Sequence, residues 1–247
     1  MASLMGLGTS AFTLFKMVER QGTTALDRFR NDPAISREIE NFRKNIVNLQ
    51  TVDDLFADHR TLSFVLTASN LGDEIQYAGR AKRALTERTD NPDALMNRLT
   101  DKRFKSAAEA LKFAETGLDT LKDPENLENL IDSYVKVQYE KTIGLQNIAV
   151  PKARYFQEKI GQVESFYDIL GDKILRDVVT SALNIPPELA YQEVETQAAA
   201  LEARIKLEDF KDPETVAKFT QRYLIMTDQK EIANSGGGQA WLLNLFA

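Results

Sequence analysis

An all-α fold, a multi-helix bundle built from two similar, duplicated helical halves, is what the sequence predicts, and three observations carry the prediction. Apolar residues recur at three-and-four spacing through long stretches. Pairs of Asp or Asn with Pro stand where helices would begin. A set of residue matches repeats at a constant offset of 114 positions. No stretch alternates with period two, and no Asn-Gly or Asp-Gly pair marks a hairpin.

The helix starts come first. Asp32-Pro33, Asn91-Pro92, Asp123-Pro124 and Asp212-Pro213 each place a capping side chain before a proline. The acid or amide accepts from a free backbone N–H, and Pro in the first turn gives up only a donor that had no helical partner. Pro151 and the pair Pro186-Pro187 mark further boundaries, because Pro pushes the residue before it out of the α region.

Between these marks the spacing is helical. From Asp58, residues Leu62, Val65, Leu66 and Leu71 share one face, and the segment ends near Gly72. The stretch 124–147 carries Leu127, Leu130, Ile131, Tyr134, Val137, Gln138 and Lys141 in the same rhythm. It is expected to be the longest helix, roughly 35 Å at 1.5 Å per residue. A third helix is expected over 191–207, with Val194, Ala198, Leu201 and Ile205 on its stripe.

The repeat pairs Phe42 with Phe156, Ile46 with Ile160, Leu55 with Ile169, Phe56 with Leu170, Asp58 with Asp172, Val65 with Val179 and Ala68 with Ala182. Beyond these seven pairs the spacing slips, and DNPDAL is answered by KDPETV. The period is too long for a solenoid repeat, so two packed halves are expected. The resulting division is an N-terminal helical segment over 1–31, one half over 32–149, a second over 150–234, and a glycine hinge with an apolar segment over 235–247.

Composition bounds the function classes. The 247 residues are 43% hydrophobic and 28% charged, ordinary values for a folded chain. A net charge of -6, mixed along the sequence, gives no general attraction to nucleic acid or an anionic bilayer. There is no cysteine, hence no disulfide, thiolate nucleophile or cysteine-based metal site. No run approaches the roughly 18 apolar residues that would cross a bilayer. Residues 1–15 lack a basic start and a continuous apolar stretch, so no cleaved secretory signal is expected.

Catalytic patterns are absent, and no enzyme, metal or cofactor is expected. The lone His59 sits in DDLFADH, but the repeat replaces it with Lys173, and metal ligation needs three or four converging ligands. Asp58 and Asp172 are better read as helix N-caps. No Ser lies in a G-x-S-x-G turn. Gly236-Gly237-Gly238 comes after no strand and precedes no Lys-Ser or Lys-Thr, so it reads as a hinge and not a phosphate cradle. Arg80, Lys82, Arg83, Arg88, Lys102, Arg103 and Lys105 form the one locally basic region, interleaved with Asp90, Asp93 and Asp101. A solvated helical face is expected there, without nucleic-acid binding.

The two ends remain. Leu7, Ala11, Leu14, Phe15 and Val18 fall on one helical face, which Gly22, Thr23 and Thr24 would end. Trp241, Leu242, Leu245 and Phe246 form an apolar cluster after the triple glycine. Either both ends dock on their own core, or they are adhesive segments that pair with other subunits or a partner groove. On the second reading the partner interface is Leu7, Ala11, Leu14, Phe15, Trp241, Leu242, Leu245 and Phe246.

With ENFRKNI, TVDDLFADHRTL and DNPDALMNRLTDKRF in this order, the sequence resembles the bacterial domain-of-unknown-function 1217 family over roughly residues 32–226. It departs from the family pattern at Asn41, where tyrosine is frequent, and at His59. The resemblance implies association with flagellar loci, chiefly in alphaproteobacteria, and no enzymatic activity. It further implies a structural or assembly protein of the bacterial flagellum acting through protein–protein contacts, exported through the flagellar apparatus, with homo-oligomers possible. The alternative is a cytoplasmic helper or chaperone for a flagellar export substrate. An enzyme with an unrecognised carboxylate pair would instead show a deep pocket of convergent, pKa-shifted acids.

Overall fold

The computed structural model of the chain describes residues 10–234. The fold is all-α, and among the described residues there is no strand. In chain order the helices are α1 (Ala11–Arg30), α2 (Pro33–Asn48), α3 (Val52–Ala57), α4 (His59–Ala68), α5 (Ala78–Thr86), α6 (Leu95–Arg98), α7 (Arg103–Leu111) and α8 (Phe113–Thr116). They continue with α9 (Asp119–Lys122), α10 (Pro124–Gln146), α11 (Ala149–Lys159), α12 (Phe166–Gly171), α13 (Lys173–Ala182), α14 (Val194–Glu202) and α15 (Pro213–Asn234). Short 3-10 turns cover Gly72–Tyr77, Ile160–Gln162, Pro187–Tyr191 and Leu207–Lys211.

The helices gather into two compact units. A central unit spans Gln21–Lys141, and a terminal unit joins residues 10–20 to 142–234. The chain passes between them at a break in α1 and again within α10. This differs from the expected division at 31/32 and 149/150. The first helix is not a segment of its own, because its leading half has an apolar face that packs with the last part of the chain.

The central unit is organised around a ring stack. Phe64 of α4 lies 4.0 Å from Phe42 of α2 and 3.8 Å from Tyr134 of α10, with interplanar angles of 6° and 13°. Ile46, Leu55, Leu66, Leu71, Leu85 and Ile131 fill the core around it. The second half of α1 belongs here: Phe29 meets Tyr139 at 5.5 Å, and Arg30 pairs with Glu128 and Asp132 of α10.

The terminal unit has its own aromatic centre. Phe156 of α11, fully buried, meets Phe210 edge-on at 5.7 Å and Phe219 of α15 at 5.4 Å, and Phe210 and Phe219 meet edge-on at 5.1 Å. Ile160, Ile169, Val178, Val179, Leu201 and Leu224 complete the buried set around these rings.

Two of the stretches paired at the 114-residue offset share local backbone geometry. Thr51 and Ser165 each open a short helix with a capping box, closed by Asp54 and Asp168. Asp58 then accepts from the N–H groups of Arg60 and Thr61, and Asp172 from those of Ile174 and Leu175. Each of the helices so capped ends on an asparagine in the left-handed region, Asn70 at φ 57° and Asn184 at φ 50°. Behind it the N–H of Leu71 returns to Leu66 O and that of Ile185 to Thr180 O, at 2.7 and 2.9 Å. That is a Schellman ending, with the buried Leu71 and Ile185 as its apolar plugs. Replacing Asp58 or Asp172 by Ala is expected to cost about 1 kcal/mol each. The Asp172 change should be the larger, since Asp172 also accepts from the Tyr155 hydroxyl at 2.6 Å. Urea midpoints of the two single variants check this.

Three local expectations are corrected. Asn91-Pro92 lies in a turn and opens no long helix; Asn91 caps Asp93 N–H at 3.0 Å and α6 starts only at Leu95. KDPETV instead answers KDPENL, because Asp123 and Asp212 cap the two long helices α10 and α15 in the same way. The helix expected over 191–207 is shortened to Val194–Glu202. Tyr191 ends a 3-10 turn and Gln192 and Glu193 are extended, so Val194 opens the helix at the surface and only Ala198 and Leu201 are buried.

Candidate functional site

In the first half of α1, Ala11, Leu14, Phe15 and Val18 recur at helical spacing and are all buried, while Thr13, Lys16, Met17, Glu19 and Arg20 face outward. The stripe predicted from sequence is therefore real, and its partner is the chain's own terminal unit. Phe12 and Phe15 line a small cleft of about 120 Å³ with Gln157 of α11 and Ala217, Gln221 and Leu224 of α15. Ion pairs flank it, Lys16 with Glu19 and Lys218 with Glu214, both at 2.7 Å.

One polar contact fixes the register. Helix N-termini leave backbone donors without intrahelical partners. Here the N–H of Ala11 donates to Asp228 Oδ1 at 2.6 Å and that of Phe12 to Asp228 Oδ2 at 3.3 Å. A carboxylate of α15 thus caps α1 across 217 positions of sequence. A carboxylate at a helix N-terminus also complements the helix dipole.

The other end of this seated helix is a hinge. Gly22 has φ 53° and ψ -144°, non-helical values in the middle of α1. The sequence marks Gly22 as a helix end; the structure makes it a break, after which helix resumes through Arg30. Only glycine adopts such a conformation at little cost. A Cβ on Gly22 would meet nothing within 4 Å, so backbone conformation alone decides what fits there.

Of the residues expected at a partner interface, Ala11, Leu14 and Phe15 are brought together in this seat, and they are covered by their own chain instead of free for a partner. Leu7, Trp241, Leu242, Leu245 and Phe246 lie outside the described residues. Asp228 was not legible as part of the site. It stands alone in TDQKE, and only the tertiary fold brings it to the start of α1.

The basic region is a set of internal clamps. Arg80 pairs with Glu74, Lys82 with Asp53, Arg83 with Glu87 and Arg88 with Asp90. Arg103 uses its whole guanidinium: Nη1 donates to Asn70 O at 2.6 Å and Asp73 at 3.0 Å, Nη2 to Asp73 and Asp101, and Nε to Asp101. It ties the left-handed end of α4 to the start of α7. Burial acts to raise the pKa of Asp73 and of Asp101, and the bonds to Arg103 outweigh it, so both sit below their ordinary value.

A carboxylate whose folded pKa is depressed adds stability above its unfolded value, near 4, and loses it as pH falls through the folded one. Replacing Arg103 by Met is therefore expected to cost about 1–2 kcal/mol near neutral pH, discounted because the side chain is 38% exposed. The difference from wild type should shrink on the acid side of about pH 4. Urea midpoints taken across that range check both parts.

The central unit holds a second cleft, of about 270 Å³, walled by Ser69, Asn70, Ser106, Thr120, Asn126 and Asn129 over an apolar floor. No titratable side chain lines it, so it offers no general acid or base. Among the described residues every carboxylate with a resolved shift is lowered, and no group of three potential metal ligands converges. No described helix is long and apolar enough to cross a membrane.

Comparison with known proteins places the chain by likeness. Residues 68–216 match the family described as protein of unknown function (DUF1217). No curated protein matches. A protein of Agrobacterium tumefaciens solved by X-ray crystallography is similar at 27% identity and a TM-score of 0.76, over 92% of this chain and 98% of that one.

Proposed function

From the premise that the chain belongs to the family of unknown function DUF1217, we propose that it is a non-enzymatic structural or assembly protein of the bacterial flagellum that acts through protein–protein contacts. The observation that carries the contact part is the seat. An amphipathic helix, residues 11–20, lies with its apolar face buried in the terminal unit, is capped there by a carboxylate, and is joined to the rest of α1 by a glycine hinge. This is the helix-in-groove mode by which proteins join proteins, used here within one chain. The flagellar part rests on the family resemblance, and export through the flagellar apparatus is part of the same proposal.

Antibody detection on purified hook–basal bodies and filaments, together with swimming assays of a deletion strain, tests this reading. The chain is expected in the assembled fraction, with loss of motility on deletion. Its absence from every flagellar fraction in a strain that swims normally would sink the flagellar assignment. Its recovery bound to one soluble export substrate in the cytoplasm would favour the helper reading.

A further inference from the structure

We propose that residues 11–20 exchange between copies, so that the seat on α11 and α15 of one chain receives the first half of α1 from a second copy, giving a two-fold dimer. The inference deepens the reading above by naming the partner of the seat as a second copy of this chain. Three features lead to it. The occupant is known, because the seat is filled by this same helix with Ala11, Leu14, Phe15 and Val18 buried. Its latch, Asp228 on the N–H groups of Ala11 and Phe12, is a contact that any copy of the helix restores unchanged. Its connection to the rest of the chain is one glycine in a conformation foreign to a helix, with helix over 11–21 before it and over 23–30 after it.

Exchange of an identical element conserves the closed interface and alters only the hinge. In the form whose own helix fills the seat, Gly22 holds φ 53°. In the exchanged form α1 runs straight from Ala11 to Arg30, and residue 22 becomes an ordinary helical position. The hinge residue therefore sets the balance, and Gly22→Ala shifts it in one direction on both sides. Alanine is strained at φ 53° and is a better helix former than glycine. Strain of that size is worth about tenfold per hinge, hence about a hundredfold in the dimerisation constant for two hinges.

Light scattering on size-exclusion fractions of the full chain and its Gly22→Ala variant, at low and high micromolar concentration, reads that shift. The chain has no cysteine among the described residues or elsewhere, so engineered ones report cleanly. Lys16→Cys, on the helix, and Gln221→Cys, on the seat, are placed in separate chains, mixed, and joined with a short bifunctional thiol reagent. The expected result is a dimer strengthened about a hundredfold by Gly22→Ala and a covalent bond between a Lys16→Cys chain and a Gln221→Cys chain. A Gly22→Ala chain that stays monomeric at every concentration overturns the proposal, as does a dimer in which no Lys16→Cys chain can be joined to a Gln221→Cys chain. Should Gly22→Ala fail to fold, the two cysteine chains without it, mixed at high concentration after gentle warming, give the same readout: cross-linking between chains supports exchange, and its absence overturns it. Neither result depends on where the protein resides, so failure here leaves the flagellar assignment standing, and failure there leaves the exchange standing.

Discussion

Replacing Phe156 by Ala is expected to lower the stability of the terminal unit by about 3–5 kcal/mol, among the largest effects of any single change in the chain. The ring is fully buried and touches two others, Phe210 edge-on and Phe219 nearly parallel. Truncation removes both ring contacts and leaves a void that α11, pinned between α13 and α15, cannot close. Urea denaturation followed by far-ultraviolet circular dichroism is the measurement. A loss under about 1 kcal/mol would mean that Phe210 and Phe219 repack into the space, and that the aromatic centre is not the keystone of this unit.

Phe64→Ala should be comparably severe, about 3–5 kcal/mol, and carries a second signal. Phe64 is the middle ring of a stack of three, so its removal separates Phe42 from Tyr134. Burial holds the Tyr134 phenol above its ordinary pKa, against the opposing hydrogen bond from Gln138. With the middle ring gone and water beside it, Tyr134 should titrate closer to the usual value near 10. A spectrophotometric titration of tyrosinate in wild type and variant shows the shift. An unchanged titration with a large stability loss would place the new void away from the phenol.

Phe42 and Phe156 are paired by the 114-residue offset in sequence, yet they serve different cores. The position paired with Phe64 is Val178, and among the described residues the stack of three rings lies in the central unit. What the two halves keep in common is local: a capping box, an Asp cap and an Asn in the left-handed region. Those features were legible because cap and turn chemistry is written in residues one to four apart. Asp58 and Asp172 were read as caps from sequence and are caps in the structure. The apolar stripe of α1 was equally legible, since its period needs no knowledge of what it packs against.

What was not legible depends on residues far apart. The sequence left open whether the α1 stripe faces a partner or its own core, and the answer lies in α15, some two hundred positions away. Asp228 has no local signature as a cap, because it caps another helix. The compact units differ from the division drawn along the chain for the same reason: such a boundary assumes that neighbours in sequence stay neighbours in space, and residues 10–20 group with the last part of the chain. Asn91-Pro92 shows the opposite failure, a sound local signal overruled. Its Asn caps a turn because the backbone of Leu95 is held by Glu87 and the Asn97 side chain donates to the carbonyls of Thr89 and Asn91.

The interleaved order of the two units also sets a timetable for the newborn chain. The central unit is a continuous segment and acquires all its residues by Lys141, while the terminal unit waits for α15. The stripe Ala11, Leu14, Phe15 and Val18 is made first, and the carboxylate that latches it is made more than two hundred residues later. At a ribosomal rate of about 5–20 residues per second, that face stays uncovered for about 10–40 s. During that interval its apolar side chains lack the α15 part of the surface that buries them in the finished fold.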